Sequence, residues 1–152
     1  GSPTAACKIS EMPKYITAKI YYKKSLKMYQ KLYGNKGHAT IACSHHGIGL
    51  VYQRQQNSKD ALWHYEQGLE VCSVVYGGEP HQATAMSHEL VGNAHYLMKQ
   101  YLQASQAYSK SWEILKQCLG PAHPKTQAMA TSIAKARDAM RRSKQLNTKE
   151  HS

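Results

Sequence analysis

The sequence predicts an all-α solenoid of antiparallel helix pairs, about six helices in a row. Three observations predict it. Gly34, Gly77 and Gly120 are spaced by 43 residues, and each is followed shortly by a histidine: His38, His81 and His123. The same offset aligns Ala18, Ala61 and Ala104, then Tyr22, Tyr65 and Tyr108, then Leu26, Leu69 and Trp112, then Met28, Val71 and Ile114. It also pairs Ala42 with Ala85, His45 with His88 and Gly49 with Gly92. Agreement at so many small, aromatic and apolar positions marks an internal repeat. Finally, no alternating strand pattern of useful length is present.

The elements follow in order as helices over 12–33, 38–55, 59–76, 81–98, 102–119 and 124–144. Gly34, Gly77 and Gly120 stand where helices stop, because glycine takes the left-handed C-terminal cap at little steric cost. Pro80, Pro121 and Pro124 follow closely, where they end one helix or open the next. Gln56-Asn57-Ser58-Lys59-Asp60 and Met98-Lys99-Gln100 are the short polar breaks inside the second and third units. The units are therefore about 12–37, 38–80 and 81–123, with a terminal helix at 124–144. Gly1-Ser2 reads as a cloning scar, 1–11 as a tag or flexible segment, and 145–152 as a flexible basic tail. Within each unit, Ala18, Ala61 and Ala104 allow a close helix approach, as do Gly49 and Gly92. The tyrosine four residues after each alanine fills the space beside that approach.

Composition excludes several classes. The chain has 152 residues, 41% hydrophobic and 19% charged, which fits one soluble domain with a sizeable core. No apolar run is long enough to span a membrane. Cys7, Cys43, Cys72 and Cys118 form no C-x-x-C pair, so they read as free thiols of a reducing, cytoplasmic protein. The net charge of +11 is uneven. Residues 12–59 hold nine Lys/Arg and no acid, residues 60–124 are net −3, and residues 125–152 are net +5. Basic ends favour acidic partners without naming one.

In residues 42–69, Gly49, Tyr52, Ala61, Tyr65 and Gly68 follow a small–aromatic–small–aromatic–small order. The third unit keeps Gly92, Ala104, Tyr108 and Ser111, with His95 where tyrosine is usual, and the first shows only Ala18, Tyr22 and Ser25. This pattern resembles the tetratricopeptide repeat over roughly 14–140, with units longer than the usual 34 or so residues. The turn Leu119-Gly120-Pro121-Ala122-His123-Pro124 is similar to the kinesin-light-chain type of that repeat. The resemblance implies a right-handed superhelix and a non-catalytic adaptor that takes a partner segment, extended or helical, in a concave groove. The groove positions it implies are Cys43, His46, Leu50, Gln53 and Arg54 in the second unit. They are Met86, Glu89, Asn93, Tyr96 and Leu97 in the third, and Met129, Ser132, Ala136 and Met140 in the last helix. Clamping of a C-terminal carboxylate is disfavoured: Asn93 suits it, but the lysine positions hold His46, Glu89 and Ser132. Lys135 at a glycine position and the alanines at 128, 130, 134, 136 and 139 resemble a capping helix, or equally a half repeat.

No catalytic or cofactor chemistry emerges. His81, His88 and His95 recur every seven residues, about 10 Å apart by helical rise, too far to share one ion. His88-Glu89 begins like a zinc-protease motif, but Gly92 stands at the second ligand position. Cys43 near His46 lacks the context of a nucleophile–base pair, and Gly77-Gly78 is not followed by a phosphate-loop lysine. Lys19, Lys23, Lys27 and Lys31 make a basic ridge, and Arg137, Arg141 and Arg142 a second cluster. The alternative reading is thus an electrostatic platform for acidic cytoskeletal tails, a membrane surface or nucleic acid, although no nucleic-acid motif is present. Apolar repeat ends make a homo-oligomer a third reading.

Overall fold

A computed structural model describes residues 5–152, with side chains described from Pro13 onward. Gly1-Ser2, expected to be a cloning scar, and the side chains of the N-terminal segment lie outside the described residues. Six helices follow in order: α1 (Ala5–Tyr33), α2 (Ala39–Arg54), α3 (Ser58–Tyr76), α4 (Gln82–Leu97), α5 (Tyr101–Leu119) and α6 (Pro124–Glu150). No strand occurs among the described residues. Four helices match their expected bounds to within a residue or so. The outer two are longer. α1 starts at Ala5 rather than 12, carrying Pro13 inside it. α6 continues to Glu150 rather than 144, since no glycine or proline interrupts residues 125–150.

The repeated turn chemistry sets the helix ends. Gly34, Gly77 and Gly120 have φ of 75°, 60° and 86°, the left-handed region where a Cβ is costly. The histidine after each turn caps the next helix. Nδ1 of His38 accepts from the Thr40 N–H at 3.1 Å, that of His81 from Ala83 at 3.0 Å, and that of His123 from Lys125 at 3.1 Å. Each bond satisfies one of the unpaired donors of a helix N-terminus. His81 also stacks on Tyr76, ring centroids 3.7 Å apart, so it ties the end of α3 to the start of α4. His81→Ala is expected to cost about 1 kcal/mol in urea melts, with His81→Asn recovering most of the capping part. No change on His81→Ala would show the bond to be ornamental. The shorter turns work differently: Gln56 and Lys99, one repeat apart, both hold φ near 60° without being glycine.

Consecutive helices pack in pairs, and α2 also touches α4. Three apolar clusters run along the stack, each spanning at least three helices. One joins Ile41, Ala42, Val71 and Cys72, with Leu26 and Tyr29 against them. A second joins Ala61, Tyr65, Leu90, Val91, Ala94 and Ala107. The third joins Ala85, Ala104, Tyr108, Leu115, Met129 and Ala136. Contacts among the described residues therefore run mainly between helices adjacent in the stack, as in a solenoid. The small residues act by contact. A Cβ on Gly49 would lie 2.5 Å from the Tyr65 ring, and one on Gly92 would lie 2.6 Å from Tyr108. α2, α4 and α6 thus lie on one side of the stack and α1, α3 and α5 on the other.

Candidate functional site

The first helices of the units meet in a row of three concavities. The largest convergence of expected groove residues is a cavity of about 290 Å³ lined by Gln53, Asn93, Tyr96, Leu97, Tyr108, Ser132 and Lys135. It draws on α2, α4, α5 and α6, so it exists only because the helix pairs stack. Its polar wall is fixed from behind. The Tyr108 hydroxyl donates to Asn93 Oδ1 at 2.7 Å, and the Tyr65 hydroxyl donates to Gln53 Oε1 at 2.9 Å. Burial pushes the Tyr108 hydroxyl up to about 12, helped by Glu89 and Tyr96, so it stays a donor. Lys135 Nζ lies 5.9 Å from the Tyr96 ring, near enough for a weak cation–π attraction.

Toward the start of α4 the groove continues in a second cavity, where Met86, Glu89 and Met129 meet Lys125 and Leu115. Burial raises the Glu89 carboxyl above its ordinary range, and the Lys125 charge offsets part of that. The third cavity is apolar and holds Cys43, His46, Leu50, Met86 and Tyr22. Met86 lines both of these, which makes the surface continuous. Leu50, Met86 and Leu97 are exposed apolar side chains along it.

Three expected positions behave differently. His46 is buried: its Nε2 bonds Ser87 Oγ at 2.8 Å, and its ring fills the space that Gly68 leaves open. Held by these contacts, it forms the floor of the third cavity. Met129 is buried in the third apolar cluster, again floor rather than wall. Arg54 lines none of the three cavities and lies instead with its guanidinium 5.9 Å from the Tyr15 ring of α1. Among the positions further along α6, Ala136 is buried, and Met140 lines a separate concavity with Arg137 and Arg141. Tyr108 and Lys135 were not among the expected groove residues. The pairing of Tyr65 with a first-helix amide could have signalled Tyr108; only the stacking of α6 on α5 reveals Lys135.

The basic ridge is also divided. Lys19 is half-buried with Nζ 3.8 Å above the Tyr52 ring, while Lys23, Lys27 and Lys31 are exposed. Arg142 and Arg141 share Asp138, at 2.7 and 3.7 Å. Cys43, Cys72 and Cys118 are free thiols. Among the described residues no group of three or more His, Cys, Asp or Glu could hold a metal ion. No helix among them is long and apolar enough to cross a membrane.

Stacked helix pairs with a continuous groove across their first helices define a helical-repeat interaction scaffold. The sequence model of the tetratricopeptide repeat matches residues 10–73 and 40–117, and the chain belongs to that family. No curated protein matches it in sequence.

Proposed function

We propose that the chain is an adaptor that binds a segment of a partner protein along the groove of α2, α4 and α6. The observation that carries this reading is the cavity joining Gln53, Asn93, Tyr96, Leu97 and Ser132, with exposed Leu50 and Met86 continuing it. Apolar anchors on those side chains supply affinity, and the fixed amides of Gln53 and Asn93 set register through hydrogen bonds. Lys135 in one cavity, and Lys125 with Glu89 in the next, favour a segment carrying both charge signs. The turns in which a glycine is followed three or four residues on by a capping histidine support the kinesin-light-chain type of repeat. The free thiols suit a reducing compartment such as the cytoplasm.

Met86→Glu with Leu97→Glu places two charges in the groove without disturbing a buried contact. The double variant is expected to keep wild-type helicity and melting, and to lose at least tenfold in affinity for proteins the wild type captures from cell extract. Arg54, outside the cavities, serves as the control substitution. Equal capture by wild type and double variant would remove the groove reading.

A further inference from the structure

Two tyrosines behind the central cavity of the groove decide which way its amides face. Tyr65 and Tyr108 are 0% and 4% exposed. Burial raises the pKa of both phenols, so each keeps its proton. Each hydroxyl has a single hydrogen-bond partner among the described residues, and it is an amide oxygen. Tyr65 donates to Gln53 Oε1 at 2.9 Å and Tyr108 to Asn93 Oδ1 at 2.7 Å. An amide turned the other way would present N–H to the phenol and leave a buried O–H without an acceptor, which is costly. The carbonyl oxygens are therefore held against the phenols. The two NH2 groups bond no other described residue, yet neither is a buried orphan, so both open to solvent from residues that line the cavity.

The rest of the lining adds positive charge. Lys135 is exposed, forms no ion pair among the described residues, and sets its Nζ 5.9 Å from the Tyr96 ring. Ser132 spends its proton on Ala128 O at 3.1 Å. No Asp or Glu is among the described lining residues; Glu89 belongs to the next cavity. A carboxylate entering here meets two amide NH2 groups and one ammonium. An entering ammonium meets like charge and no carboxylate. One cation also balances a single negative charge better than a phosphate dianion. We propose that the Tyr65 and Tyr108 hydroxyls make this cavity the specificity pocket of the groove, where it takes an aspartate or glutamate side chain from within the bound segment. Granted that the groove binds a segment, the two phenols act as positioning residues: through the amides they set the sign of charge the cavity accepts.

The probe is a random 12-residue peptide library displayed on phage and panned against the whole chain, with enriched peptides resynthesised and titrated by fluorescence anisotropy. Groove peptides, recognised by weakened binding to the Met86→Glu/Leu97→Glu variant, are expected to share an Asp or Glu at one position. Replacing that acid by Lys should weaken binding about tenfold or more. Asn93→Asp with Gln53→Glu keeps an acceptor for each phenol and removes both NH2 groups, so the preference should reverse to Lys. Tyr65→Phe with Tyr108→Phe frees the amides to turn. It should narrow the acid-over-Lys ratio about fivefold, a change of ratio that general loosening would not produce. Circular dichroism checks that each variant is folded. Groove peptides without a common acid, or an acid preference that survives Asn93→Asp/Gln53→Glu, overturn the proposal and leave the groove reading standing. Enriched peptides that bind the Met86→Glu/Leu97→Glu variant as tightly as wild type, or no enrichment at all, remove both.

Discussion

Tyr65→Ala is expected to destabilise the chain by about 4 kcal/mol, the range for truncating a large buried aromatic. Tyr65 is wholly buried at the junction of α2, α3 and α4, in one cluster with Leu90, Val91, Ala94 and Ala107. Its ring lies on Gly49, 2.5 Å from where a Cβ on that glycine would stand, so the wall on that side is bare backbone. Walls built from backbone collapse poorly, so the cavity left by truncation persists. The hydroxyl matters less. Tyr65→Phe removes the bond to Gln53 Oε1 and should cost about 1 kcal/mol, because half-buried Gln53 can turn to water. Gly49→Ala crowds the ring instead; overpacking of about 1–3 kcal/mol is partly offset by about 1 kcal/mol of better helix propensity. Combined with Tyr65→Ala, that clash disappears, so the two effects should be clearly less than additive. Urea melts read all four values. A loss below about 1 kcal/mol for Tyr65→Ala would mean that the central unit does not hold the stack together.

The repeat offset made this junction legible. Alanine, glycine and tyrosine recur at 43-residue intervals because the same close contact is built again, and Ala61, Tyr65, Ala104 and Tyr108 are all buried. The resemblance to the repeat family named Gln53, Asn93, Tyr96, Leu97 and Ser132 as groove positions, and one cavity is lined by all five. It failed where a side chain's direction depends on what faces it. His46 sinks because Gly68 leaves it room and Ser87 offers a bond, both on other helices. Arg54 turns toward Tyr15 rather than the groove, and Lys19 folds over Tyr52 rather than joining an open ridge. Each is a contact between helices, and a one-dimensional pattern does not contain the partner. The histidines of the turns were legible as a motif but not as caps, since capping appears only once Nδ1 is seen beside the next helix's N–H.

Acidification from pH 7 to 4 is expected to remove several kcal/mol of stability, through histidines that the fold keeps neutral. Burial lowers His46 to about 4, with a smaller push from the charge of His45. Burial likewise lowers His64 to about 4, assisted by His45, Lys23 and Lys19 against an opposing Asp60. The pair is joined directly: Nδ1 of His45 and Nδ1 of His64 are 3.1 Å apart, an arrangement that needs one ring to donate and the other to accept. Protonating both removes the acceptor and sets two cations in contact. The unfolded chain binds these protons near pH 6.5, whereas the folded chain resists them to about 4. Stability is therefore fully present above about 6.5 and falls as pH drops from there toward 4. Each pH unit between those values costs about 1.4 kcal/mol per group, so His46 alone accounts for about 3 kcal/mol. His64→Gln, which keeps a hydrogen-bonding side chain without the titration, should flatten the acid limb while lowering neutral stability only slightly. Thermal melts at half-unit steps from pH 7 to 4 test this. A flat profile, or one unchanged by His64→Gln, would show that the packing of α2 on α3 does not depend on neutral rings, and acid sensitivity would then have to come from the carboxylates.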